Sequence, residues 1–313
     1  MSASYFLRSP FLGDGTHIEI TKDDFFKLEN SKIIIREYIS FEESLFQLLK
    51  TYSEFEKYLL TSALDFLNFP QADWDFFQDI RIDANIRVVS VLNAMTSVRD
   101  QAPKLNSPQL GVTLNRRLRT LWDEHRSTST SFSFAERLRN YAQHQTQPIS
   151  RTSTGGGWKK DDDLCEHHTS VYVDTLAVCN NRGIDRDEKE RYLHEYGDMV
   201  DIAGLLREAL SIIAKIASTL RSEFEQPVTE SLSTYDYYLT IRNETPTHYD
   251  AVAANNRLED KKFSIFPGLV ERAKKLKQQR YLTNFEKHYI SNRLRGHSTS
   301  MAKKPISLVA RPD

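Results

Sequence analysis

From about Lys32 to Phe69 apolar residues recur at three- and four-residue intervals, through Ile34, Ile35, Tyr38, Ile39, Leu45, Leu48, Leu49, Tyr52, Phe55, Tyr58, Leu59, Ala63 and Phe66. That spacing lines one face of a helix and does not fit the two-residue alternation of a strand. So long an apolar stripe needs other helices to cover it, which predicts a mainly α fold. Pro70 ends the segment, because proline supplies no N–H and collides with the preceding turn.

Further helical patterns follow. One spans about Trp74 to Ala102, with Ile80, Ile86, Val89, Val91, Leu92 and Met95 as its expected buried stripe. Pro103 and Pro108 bracket the next connection, a third helix is expected from about Gly111 to His125, and Ser127 to Ser133 offers a loop and helix caps. A fourth is expected over Phe134 to His144. After Pro148 the pattern changes: Ser153 to Asp163 is turn-rich, with Gly155, Gly156 and Gly157 read as a hairpin turn, and Ser170 to Val178 alternates as a strand does. A β hairpin at about 150–180, inserted between helices, is the expectation. A helix then resumes from about Asp187 to Phe224, and Pro227 is expected to stop it.

The flanks are less regular. Two short apolar stretches within residues 5–20 surround Gly13-Asp14-Gly15, a hairpin signal. Tyr235 to Ile241 reads as a short strand or extended segment, and Phe266 to Arg280 as a helix starting near Pro267. The expected organisation is therefore an N-terminal β-containing segment over 1–30, a helical bundle with a β insertion over 31–227, and a C-terminal extension over 228–313.

Composition sets outer limits. The chain has 313 residues, of which 39% are hydrophobic and 27% charged, proportions of an ordinary globular protein with enough chain for a real core. No run approaches the roughly 18 apolar residues of a membrane span, and Met-Ser-Ala-Ser-Tyr-Phe lacks the basic-then-apolar order of a signal peptide, so a cytoplasmic protein without membrane contact is expected. The net charge of −1 hides an asymmetry, since residues 271–313 hold eleven Lys and Arg against three Asp and Glu. Such a tail either draws a polyanion towards one surface or stays simply solvated.

Two cysteines, Cys165 and Cys179, do not make a disulfide framework and are expected as thiols. Together with His167 and His168 they do not have the short paired spacing of a zinc site, and adjacent histidines face opposite sides of a strand. Gly155 to Gly157 lack the Gly-x-x-x-x-Gly-Lys-Ser/Thr pattern of a phosphate loop. The acidic runs Asp161 to Asp163 and Asp185 to Glu190 are explained by solvation and helix N-termini. No metal and no cofactor is expected.

Chemistry concentrates instead at Arg139-Asn140-Tyr141-Ala142-Gln143-His144, at the end of the fourth expected helix. An imidazole titrates near neutral pH and suits proton transfer, while a guanidinium keeps its charge and binds phosphate oxygens in pairs. Asn140 can orient either the arginine or a phosphate. RNA brings its own nucleophile, the 2′-hydroxyl, so a base and a cation suffice to cleave it. The bare pattern also occurs as Arg119 to His125, Arg137 to His144 and Arg242 to His248. Context favours Arg139, since Pro246 interrupts the last of these pairs and the first lies beside Trp122 on a basic helix face. Without further context, an Arg and a His at a helix C-terminus simply favour the helix dipole, worth about 0.3–1 kcal/mol.

The string Phe134-Ala-Glu-Arg-Leu-Arg-Asn-Tyr-Ala-Gln-His-Gln-Thr-Gln-Pro-Ile149 resembles the signature of the HEPN superfamily, an Arg, four to six residues and a His, with a polar residue after the Arg. The resemblance extends over roughly Ile86 to Ile149, including Asn115-Arg-Arg-Leu-Arg119, and the helix after the insertion. It implies an antiparallel helical bundle and a metal-independent endoribonuclease with Arg139 and His144 catalytic and Asn140 supporting. It also implies a homodimer with RNA as substrate, and a bacterial toxin or antiphage system with an antitoxin or defence partner. The alternatives are a non-catalytic HEPN module that binds RNA or nucleotide, or a partner-binding adaptor. In HEPN toxins regulated by a nucleotidyltransferase, a modified Tyr follows one residue after the His. Here Thr146 stands at that place, so the resemblance does not extend to that regulation.

Spacing adds a geometric condition. Five residues advance about 500° along a helix, which leaves Arg139 and His144 about 140° apart. Either the helix frays near His144, or two copies of the motif line one cleft across a two-fold axis.

Overall fold

The computed structural model describes residues 4–10, 17–68, 73–100, 111–158, 165–181, 183–242, 245–255, 258–283 and 297–299. Among them the protein is mainly helical with small antiparallel sheets. In chain order the elements are β1 (Ser4–Arg8), β2 (His17–Glu19), α1 (Lys22–Asn68), α2 (Trp74–Asp100), α3 (Gly111–Thr128) and α4 (Thr130–His144). There follow β3 (Arg151–Trp158), β4 (Cys165–Asp174), α5 (Thr175–Cys179), α6 (Arg186–Tyr196), β5 (Met199–Asp201) and α7 (Ile202–Thr240). The last are β6 (Tyr249–Asn255), β7 (Leu258–Ile265), α8 (Pro267–Gln279) and β8 (His297–Thr299). No described helix is long and apolar enough to cross a membrane.

The chain divides into two compact units. The first comprises residues 1–46, 97–122 and 216–283. Its sheet has the order β2-β1-β6-β7, all antiparallel, with Leu7 opposite both Ile18 and Ala251. The two short N-terminal strands agree with the expected hairpin, whose Gly13-Asp14-Gly15 turn lies outside the described residues. Helix α1 enters this unit through a capping box: Thr21 Oγ1 accepts from Asp24 N at 3.1 Å and Asp24 Oδ2 accepts from Thr21 N at 3.2 Å. Leu7, Phe25, Leu28, Ile35, Tyr235, Leu239, Ile265 and Val270 form its core.

Pro227 does not stop α7, which continues to Thr240, so Tyr235 to Ile241 is neither strand nor extended segment. An interior proline costs about 3 kcal/mol or more. Val228, Leu232, Tyr235, Tyr238 and Leu239, all buried at helical spacing beyond it, outweigh that cost at about 1.5–3 kcal/mol for each large side chain.

The second unit comprises residues 47–96, 123–215 and 284–313. The expected β hairpin is present, with β3 antiparallel to β4 from Arg151↔Tyr172 to Trp158↔Cys165. Gly155, Gly156 and Gly157 are not its turn; they lie in β3 opposite His168, His167 and Glu166. Nothing stands within 4 Å of a Cβ placed at Gly155 or Gly157, so an extended glycine run is sterically free there. The strand expected to reach Val178 ends at Asp174, because the Asp174 side chain accepts from Ala177 N and caps α5. The expected helix from Asp187 to Phe224 is broken after Tyr196, where Gly197 adopts φ +63° and β5 pairs with the end of β4. Ile86, expected in the buried stripe of α2, is 59% exposed, whereas Ile80, Val91, Leu92 and Met95 are buried.

Candidate functional site

Helix α4 is set by both its ends and one buried face. Ser129 is the single residue between α3 and α4, and its hydroxyl accepts from Phe132 N at 3.2 Å, a cap worth about 1 kcal/mol. Phe132, Phe134, Ala135 and Leu138 are fully buried, and Phe134 packs edge-on against Tyr192 with ring centres 5.1 Å apart. Ser133 and Tyr192 join hydroxyls at 2.6 Å beneath the same face. The chain leaving α4 is also held. Asn85, itself buried on α2, accepts from Ile149 N at 2.9 Å and donates to Arg81 O at 2.9 Å and to Gln147 Oε1 at 3.4 Å. Gln143 donates to Asn93 of the same helix at 3.4 Å.

On this fixed helix the charged residues divide sharply. Glu136 pairs with Arg126 at 3.3 Å, and Arg137 donates to Glu188 of α6 at 2.6 Å. Arg139 has no carboxylate partner among the described residues. Its Nη1 donates to Asn140 Oδ1 at 3.3 Å, and its buried Nε has no partner. His144 is the last residue of the helix, and its exposed imidazole makes no hydrogen bond among the described residues. The pattern Arg137 to His144 is thereby separated from Arg139 to His144: the first cation is neutralised and the second is not.

The helix does not fray at His144. Gln145 N donates to Tyr141 O at 2.9 Å and closes the last turn. The offset of about 140° between Arg139 and His144 therefore stands, and no hydrogen bond links the two side chains. Arg139 and Asn140 come together; His144 sits apart on the outer end. Tyr141, between them, is half-buried, and burial followed by the charge of Asp174 raises its phenol above the usual range.

The other pairs lead elsewhere. His125 is depressed by burial and then by Lys215, which suits a structural position. His248 meets Phe266 edge-on with ring centres 6.2 Å apart. Cys179 is a buried free thiol raised by desolvation, and the side chain of Cys165 lies outside the described residues, as does the acidic run 161–163. No group of three or more His, Cys, Asp or Glu able to hold a metal is found among the described residues. Asn85 and Asn93 support the motif from α2 and were not singled out from the sequence. Asn85 had a signal, an amide at helical spacing with Leu92 and Met95 on the apolar face, whereas Asn93 lies on the exposed face and had none. No protein-family model matches the chain, and no curated protein or solved structure matches it.

Proposed function

We propose that this chain is a metal-independent endoribonuclease of HEPN type, working as a homodimer. The observation that carries the reading is the un-neutralised guanidinium of Arg139, steadied by Asn140, on the same unbroken helix end as the exposed His144. In the proposed reaction a His144 imidazole takes the 2′-hydroxyl proton of RNA. The 2′-oxygen then attacks the adjacent phosphorus, and the bond to the 5′-oxygen breaks. Arg139 holds the non-bridging oxygens as charge builds on them. The same imidazolium, now carrying that proton, gives it to the leaving oxygen, yielding a cyclic phosphate and a free 5′-hydroxyl. Because the offset on the intact helix keeps one copy from aiming both groups at one phosphate, two copies complete the site.

Within the second unit, residues 47–68, residues 74–96 of α2, α4 and residues 202–215 are read as an HEPN-like antiparallel bundle. The links from α2 to α4 and to Ile149 are consistent with it. The basic stretch 271–313 gives RNA an electrostatic foothold. A cytoplasmic role in a bacterial toxin or antiphage system, with an antitoxin or defence partner, completes the proposal.

Cleavage of RNA in EDTA, comparing the unaltered chain with Arg139→Ala and His144→Ala, tests it. Cutting that disappears in both folded variants supports the enzyme. RNA bound but never cut assigns the chain to the non-catalytic class of RNA-binding modules or adaptors.

A further inference from the structure

The first unit holds a feature that the nuclease reading does not use. A narrow cleft between α1, α7 and the end of α8 has an interior of about 40 Å³ and opens to solvent. Its walls are almost wholly apolar, from Ile34, Tyr38, Phe41, Leu220, Phe224 and Val228. Into this lining α1 sets one carboxyl group, Glu37, whose buried Oε2 has no hydrogen-bond partner among the described residues.

The other charges around the cleft are already matched. Arg221 grips Glu42 with two hydrogen bonds of 2.8 and 2.6 Å and gives a third to Tyr281 O at 2.7 Å. Lys277 and Arg280 both hold Glu225, each at 2.7 Å. Burial alone raises Glu37 to about 7, with no neighbouring cation lowering it. A buried, unpaired acceptor of this kind costs free energy until a donor reaches it.

We propose that this cleft binds a small primary amine on a slender apolar body, the ammonium donating to the Glu37 carboxylate and the alkyl chain lying against Phe41 and Phe224. An organic anion finds no free cation here, because Glu225 already occupies Lys277 and Arg280. A neutral alcohol gains the apolar contact and one ordinary hydrogen bond, whereas the ammonium gains a charge-assisted bond of roughly twice the strength. The interior is far smaller than the roughly 150 Å³ that accommodates a benzene ring, so it excludes rings and leaves room only for a slender alkyl chain that continues out of the mouth. The other charged and titratable groups lining the cleft are Tyr38 on α1, Arg221 and Glu225 on α7, Lys277 on α8 and Arg280 just after it, and none of them shifts Glu37. Tyr38 is raised far above neutrality, so Glu37 is the group that changes charge near neutral pH. An alkylamine stays protonated there, as lysine does. It must displace the Glu37 proton at acid pH, so its affinity falls about tenfold per pH unit below about 7 and levels off above.

The test uses the full chain with n-hexylamine, 1-hexanol and hexanoate, titrated by calorimetry at about pH 8.5 and about pH 5.5. The expected result is hexylamine at least tenfold tighter than either analogue at the higher pH, and about thirtyfold weaker at the lower. Glu37→Gln should remove that preference and its pH dependence while leaving hexanol binding unchanged. Equal affinity for hexylamine and hexanol, no binding of hexylamine at all, or full hexylamine affinity in Glu37→Gln would each overturn the proposal. The comparison of amine with alcohol on the unaltered chain needs no variant to fold.

Discussion

Arg139 and Asn140 are chain neighbours whose side chains meet, the guanidinium Nη1 donating to the amide Oδ1 at 3.3 Å. Neighbours on a helix point about 100° apart, so the contact requires the arginine to lie along the helix surface rather than extend to a carboxylate elsewhere. If each active site takes Arg139 from one copy and His144 from the other, mixing inactive Arg139→Ala with inactive His144→Ala rebuilds one complete site per heterodimer. Random exchange then restores about a quarter of the original cleavage, against losses of roughly 100-fold or more in either variant alone. No recovery on mixing would mean that each copy acts by itself.

Replacing Asn85 with Ala leaves the Ile149 N–H without its acceptor in a buried place. The expected cost is about 1–3 kcal/mol in urea unfolding. The segment following His144 loses its anchor with it, so hydrogen exchange at Ile149 should accelerate in the native state. A variant as stable as the parent would show that this bond does not hold the motif in place.

Glu42 and Arg221 form an ion pair in which the carboxylate is fully buried and the guanidinium 5% exposed. Glu42→Ala strands a buried cation and should cost about 3–5 kcal/mol. Replacing both residues with Met removes the stranded charge along with its partner, and should recover most of that loss. Additive single and double effects in a mutant cycle would contradict this coupling.

Glu37 couples stability to pH. Its carboxyl holds a proton up to about 7 in the folded chain against the usual 4.5, so between those limits the folded state carries more protons than the unfolded one. Its contribution is therefore full below about pH 4.5, declines as pH rises towards 7, and is level above. Glu37→Gln should match the parent near pH 4.5 and exceed it by about 1 kcal/mol at about pH 8, a figure kept small because the side chain is only half-buried. Melting curves at the two pH values would show it, and a variant less stable at the higher pH would refute it.

Helices with an uninterrupted stripe were legible from the sequence. Helices α2 and α8 lie close to their expected bounds, α1 starts at Lys22 rather than near Lys32 and so takes up part of the expected N-terminal β segment, and α4 ends at His144 as its spacing and Pro148 suggested. Errors arose where a local signal competed with distant packing. Tyr235, Tyr238 and Leu239 already have helical spacing, yet Pro227 hid it, and only the core around them explains why the helix survives. Gly155 to Gly157 look like a turn until His167 and His168 stand opposite them. The special standing of Arg139 could not be seen either, because it depends on Glu188 choosing Arg137, a partner 51 residues away.

The pairing of Ser4 with Ala254 sets a timetable for synthesis. Strand β1 leaves the ribosome long before β6 exists, and at 5–20 residues per second the interval is roughly 12–50 s. Throughout it, β1 and the apolar residues Phe25 and Leu28 that share its core have no finished sheet to cover them. The first unit is thus a late product of translation, and a chain cut short before residue 249 would be exposed to proteases and chaperones with its N-terminal strands unpaired on one side.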